Sequence, residues 1–112
     1  MKIYCQLKGS TFYEGQNYLQ HVLSSGKTVR PSDLYFIREP ENLYDSNCVQ
    51  VWCRDTNKKN VRLGNVNKEN ASKVAVCMDK GGTATVTGIR FYGKIEQGQN
   101  VGMYFTVNAV NG

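Results

Sequence analysis

Histidine is nearly absent from this chain: His21 is the only one in 112 residues. Nucleophilic catalysis needs a base within hydrogen-bond reach of the nucleophile and a third group to orient that base. One histidine, set in an apolar stretch with helical spacing, reads as a surface or structural residue and argues against a triad. Closely spaced cysteines are missing too. The four cysteines stand at 5, 48, 53 and 77, and no pair has the two-residue spacing of zinc or redox motifs. Cys48 and Cys53 fall in one predicted strand at opposite parity, which turns them to opposite faces. The reading is four buried free thiols in a reducing compartment, with no metal and no cofactor. No glycine-rich loop has Walker spacing. The carboxylates Glu39, Glu41 and Asp45 lie beside Arg38 and read as local ion pairs and turn hydrogen bonds. An enzyme is not expected. No apolar run reaches membrane-spanning length, and Met1 leads directly into strand-like alternation without a signal peptide. A cytoplasmic location with no membrane contact is expected.

What is present points to a small β-rich domain. The length allows one core, hence a single domain over residues 1–112. Seven tyrosines and eleven glycines suit many short strands joined by turns. The formal charge of +5, from 14 Lys and Arg against 9 Asp and Glu, favours polyanionic partners.

Residues 2–8 alternate, with Ile3, Cys5 and Leu7 on the inner side. A turn-rich stretch follows, in which one of the adjacent rings Phe12 and Tyr13 can be core while the other faces solvent or ligand. Tyr18, Leu19, Val22 and Leu23 predict a short helix or turn near 16–24. Residues 27–32 read as loop, 33–38 as a second strand ended by Pro40, and 47–54 as a third. Residues 55–60 read as a hairpin loop and 61–66 as a fourth strand. Asn67 is expected to cap a helix over 67–80, whose apolar stripe is Ala71, Val74, Ala75 and Met78. A long strand over 83–92 carries Gly88 as a bulge. After a polar turn, the last strand, 101–110, points Val101, Met103, Phe105, Val107 and Ala109 inward. Five to six strands with one well-defined helix describe a mostly β, small OB-like barrel.

Phe12, Tyr13, Tyr44 and Tyr92 fall at strand ends and turns. Rings there serve either as barrel plugs or as stacking platforms for single-stranded bases. The densest turn chemistry lies in Arg38-Glu39-Pro40-Glu41-Asn42-Leu43-Tyr44-Asp45-Ser46-Asn47-Cys48-Val49-Gln50-Val51. Asn42, Asp45 and Asn47 could do no more there than hydrogen-bond their own backbone. Together with Gly9-Ser10-Thr11-Phe12-Tyr13-Glu14-Gly15 and Leu63-Gly64-Asn65-Val66, this run resembles the HIRAN domain family over nearly the whole chain.

The resemblance implies a modified OB-like barrel that binds DNA and, in its end-binding type, grips the 3′ end of a single strand. By position, Phe12 stacks on a base, and Tyr44 and Asp45 face the terminal nucleotide. Asp45 accepts from the 3′ hydroxyl, and Asn42 adds polar contacts. Lys68 and backbone amides at the helix start meet phosphate. Tyr92 completes the pocket wall, and Tyr13 and Asn65 fall within the same motifs. Thr11 stands where the end-binding type has a basic residue, Phe12 lacks the usual tyrosine hydroxyl, and Leu43, Cys48 and Glu41 replace a proline, an alanine and a frequent Asn or Asp. The expected function is a non-catalytic module for single-stranded DNA, and for its 3′ end, acting as an adaptor in DNA repair or replication beside a helicase or nuclease. The alternative is a protein-interaction module using an exposed β edge without DNA.

Overall fold

The computed structural model describes residues 1–55 and 59–111. Six strands and two helices follow the order β1 (Lys2–Lys8), α1 (Gly15–Ser24), β2 (Leu34–Arg38), β3 (Val49–Arg54), β4 (Asn60–Val66), α2 (Lys68–Asp79), β5 (Thr83–Tyr92) and β6 (Gly102–Val110). Single 3₁₀ turns lie at Ser10–Phe12, Pro31–Asp33 and Ile95–Gln97. All strand pairs are antiparallel, in the order β2-β3-β4-β1-β6-β5. The sheet curls into a half-barrel, the OB-like, mostly β architecture that the alternation predicts.

β1 is the hinge of the curl. Its first five residues pair with β6, while only Leu7 and Lys8 pair with β4. One short strand thus belongs to two sheet halves, and its inner residues Ile3, Cys5 and Leu7 are buried against both. β6 repeats the pattern with Met103, Phe105, Val107 and Ala109 inside. α2 packs Ala71, Val74, Ala75 and Cys77 on the same core. Met78, the fourth residue of the predicted stripe, is only partly buried, and Cys77 takes the deeper place. Gly88 lies at the predicted bulge, where the β5–β6 register shifts between Val86 and Gly88.

Several expectations need correction. The third strand begins at Val49, so Cys48 lies in the turn before it, and parity within the strand does not govern it. Both cysteines are buried, but only Cys53 belongs to the core; Cys48 lies beneath the polar turn, near Glu39, Arg62, Asp45 and Arg38, so the two do face different surroundings. Neither Phe12 nor Tyr13 is in the core. The presumed loop at 27–32 ends in the Pro31–Asp33 turn. Asn67 sits at the N-cap of α2, but its side chain makes no cap bond there. Its Oδ1 instead accepts the Gln6 amide at 2.8 Å, which ties the helix start to β1. The hairpin loop expected over 55–60 falls in part on residues 56–58, outside the described residues. Among the described residues, no helix is long and apolar enough to cross a membrane.

All four cysteines are buried and unpaired. Burial pushes the Cys5 and Cys53 thiols up to about 11 and raises Cys48 as well. A thiolate is the reactive form, so burial holds Cys5, Cys48 and Cys53 in the unreactive one.

Candidate nucleic-acid interface

The segment from Gly9 to Gly15 is seated against β4 by close approach. A Cβ on Gly15 would lie 2.1 Å from the Leu63 carbonyl oxygen, so α1 can begin here only with glycine. Gln16 then secures the segment from below. It is buried, donates to Ser10 Oγ at 2.9 Å and to the Val101 carbonyl at 2.6 Å, and accepts the Val101 amide at 2.8 Å. One amide side chain thereby satisfies both backbone groups of Val101 and fixes the turn that carries Phe12. The Phe12 ring is 84% exposed. Beside it, Gly9 brings Phe12, Tyr13 and Asn65 together, each within 4 Å of where its Cβ would stand.

Tyr13 lies under the Arg62 guanidinium, 3.9 Å from the ring centroid. Arg62 reaches this place because of an irregularity in β4. The β3–β4 register runs Gln50↔Asn65, Val51↔Gly64, then Trp52↔Arg62, so one extra residue is inserted at Leu63. A bulge reverses side-chain parity. Arg62 and Asn65, three apart, therefore share the outer face, and Arg62 donates to Asn65 Oδ1 at 2.7 Å.

From Arg62 the polar network continues to the turn. Its guanidinium sits 3.4 Å from Glu39 Oε1, and Gln50 Nε2 donates to the same oxygen at 2.5 Å. Asn42 Nδ2 donates to the other carboxylate oxygen. Trp52 donates to Gln50 Oε1 at 2.7 Å behind them. The Asn42 hydrogen bond, followed by those of Gln50 and Arg62, outweighs partial burial and holds the Glu39 carboxyl below the usual range. Asn42 Oδ1 in turn accepts the amides of Tyr44 at 2.9 Å and Asp45 at 3.0 Å. Asp45 Oδ1 accepts the Asn47 amide at 2.9 Å, and no described residue donates to its Oδ2. The turn is locked from its other side by Arg38. This residue donates to the carbonyls of Cys48 at 2.8 Å and Ser46 at 3.0 Å and forms a two-point pair with Asp79 at the end of α2. Backbone hydrogen bonding by Asn42 and Asp45 is thus real, and it leaves the Tyr44 ring 92% exposed on a fixed loop.

Lys68 and Tyr92 lie on a second branch. Tyr92 Oη accepts from Gln6 Nε2 at 2.8 Å, and the Gln6 amide binds Asn67, the residue before Lys68. Lys68 is exposed. The Glu69 carboxylate accepts from Asn67 Nδ2 at 2.9 Å and from its own amide, and these bonds lower its pKa. An acid therefore already faces the amino end of α2, where helix dipole and free amides favour negative charge. The eight residues singled out in the sequence thus fall into two groups. Tyr13, Asn42, Tyr44, Asp45 and Asn65 are joined through Arg62 and Glu39, with Phe12 beside Tyr13 and Asn65 at Gly9, while Lys68 and Tyr92 are joined through Gln6 and Asn67. Arg62, Gln50 and Gln16 escaped sequence reasoning. Arg62 depends on a bulge that alternation hides, and Gln16 on contacts across 85 positions.

Among the described residues no group of three His, Cys, Asp or Glu side chains could hold a metal. No curated protein matches the chain. Two solved structures share the fold. A protein from Lactobacillus plantarum superposes with a TM-score of 0.56 at 16% identity, covering 96% of this chain and 98% of its own. The HIRAN domain of human HLTF superposes with a TM-score of 0.56 at 18% identity, covering 95% of this chain and 74% of its own. The HIRAN domain matches residues 2–108, and the chain belongs to this family of DNA-binding modules.

Proposed function

We propose that this domain binds single-stranded DNA without catalysis, takes up its 3′ end, and serves as an adaptor that brings a helicase or nuclease to DNA under repair or replication. The observation that carries the reading is the exposure of Phe12 and Tyr44, at 84% and 92%, on segments fixed by a continuous network that also presents Asp45. A large ring held rigid in water gains by stacking on a base, about 1–3 kcal/mol each. Asp45 supplies the preference for an end. A carboxylate repels phosphate, whereas its Oδ2 accepts readily from a terminal hydroxyl. Internal nucleotides offer a phosphodiester at that place and are disfavoured. Lys68 provides a phosphate contact beside Glu69, whose carboxylate limits how closely phosphate approaches the helix.

The test is fluorescence anisotropy with oligonucleotides ending in a 3′ hydroxyl or a 3′ phosphate, over a range of salt. Tighter binding of the hydroxyl end, with affinity falling as salt rises, is expected. Asp45→Ala removes the preference while leaving stacking intact. Equal affinity of the parent for both ends would exclude end recognition. No binding at any salt would favour the protein-interaction alternative, for which β5, paired only with β6, offers the part of its edge that β2 and the Pro31–Asp33 turn do not approach.

A further inference from the structure

The outer face of β1, β6 and β5 is unlike the rest of the surface. Register places Arg90, Tyr104 and Gln6 in one cross-strand row and Gly88, Thr106 and Tyr4 in the next. Tyr92, opposite Gly102, completes the corner. A Cβ on Gly102 would lie 2.0 Å from the Tyr92 ring, so glycine lets that ring lie flat across β6. Tyr92 stacks on Tyr104 at 4.8 Å, and Arg90 sits 5.5 Å from the Tyr104 centroid. Tyr4, Gln6, Arg90, Tyr104 and Thr106 border a groove of about 650 Å³, within the range of ligand clefts.

Tyr4 differs from its neighbours. It stands mid-strand on a central strand, is 73% exposed, and has no ring or cation partner among the described residues. Gly88 and Thr106, the small residues in its row, leave space beside its ring for another flat group. The three strands carry Lys2, Lys8 and Arg90 and no Asp or Glu. Glu69 lies beyond these strands, tied to Asn67 at the edge of the groove. The face is also continuous with the end site. Lys8 pairs with Asn65, and the outward residues Lys8, Gln6 and Tyr4 then lead away along β1. Four residues of strand span about 13 Å, or about four nucleotides at the stacked rise of about 3.4 Å.

We infer that this face is a second base-stacking track, in which Tyr4 stacks on a nucleotide 5′ of the bound end while Arg90 and Lys2 contact its phosphates. Charge selects the occupant, because a polyanion meets three cations and no carboxylate on these strands. The inference rests on the single-strand reading above and extends it from a terminal pocket to a path several nucleotides long.

Affinity measured with dT3 and dT10, both ending in a 3′ hydroxyl, tests it. The parent should bind dT10 more tightly than dT3. Tyr4→Ala should lower dT10 affinity about tenfold and leave dT3 unchanged, and Tyr4→Phe should restore it. Arg90→Ala should reduce the slope of log affinity against log salt by about 0.7 for dT10. Equal parent affinity for the two lengths, or dT10 binding untouched by both variants, would overturn the track alone, provided the Asp45 effect on dT3 persists. A parent that binds neither oligonucleotide would overturn the track and the end pocket together. Thermal melting of Tyr4→Ala, expected at the parent midpoint because the ring is exposed, excludes misfolding as the cause of a loss.

Discussion

The two faces that meet at the carboxyl end of β1 are built on opposite principles. On the β2–β4 side, position is set by charge. Arg38 binds two carbonyls and Asp79, Glu39 binds two side-chain amides and Arg62, and the turn carrying Tyr44 and Asp45 has little freedom left. On the β1–β6–β5 side, position is set by shape. Tyrosines lie over glycines and threonines, and the one described side-chain bond to Tyr92 comes from Gln6. A charged network is exact in direction but depends on pH and on each member. A stacked face is tolerant of sequence and salt, apart from the cations it carries. A terminal hydroxyl needs the first kind of site, and successive bases need only the second.

Removing Arg38 should separate the two faces most strongly. Arg38→Ala deprives the carbonyls of Cys48 and Ser46 of a charged donor. Hydrogen bonds to charged groups contribute about 1.5–3 kcal/mol. Urea unfolding should show a loss of this order, and the preference for a 3′ hydroxyl should disappear. A variant that loses stability but keeps the preference would show that the turn is ordered without this anchor.

Acid gives a graded version of the same test. The Glu39 carboxyl is held below its ordinary value, so the folded state releases its proton more readily than the unfolded chain does. The stabilisation is complete above the ordinary Glu value of about 4.3 and is lost as pH falls through the lower folded value. Trp52 is the only tryptophan and reaches Glu39 through Gln50. Its emission should change with a midpoint below the ordinary Glu value, and Glu39→Gln should abolish that step. A midpoint at or above the ordinary value would mean that the carboxyl gains nothing from Asn42, Gln50 and Arg62.

The smallest effect is expected on the stacked face. Gly102→Ala displaces the Tyr92 ring, a surface group, without touching the polar network. Stability should change by less than about 1 kcal/mol, the near-ultraviolet dichroism of the Tyr92–Tyr104 pair should weaken, and end preference should persist. A large loss of stability would mean that the face is structural rather than a platform.

Much of this was legible along the chain. Alternation marks five of the strands closely because each buries one side, and the long helix shows by its 3.6-residue stripe. The Arg38–Val51 run marks the turn because its residue types hydrogen-bond locally. Two local expectations misled. Adjacency allowed one of Phe12 and Tyr13 to enter the core, but both stay outside, because they lie at and just after a 3₁₀ turn, where strand parity does not apply. Asn67 has the residue type of a cap, yet the Gln6 amide competes for its oxygen and wins.

By itself the sequence determined the strands, the helix spans and the polar turn, because burial periodicity and turn chemistry act over a few residues. Only the tertiary structure decided that Arg62 would serve Tyr13, Asn65 and Glu39 at once, and that Tyr4 would share a face with Tyr104 and Arg90. Those placements depend on a bulge and on strand registers up to about a hundred positions apart, and no local pattern encodes a distance through space.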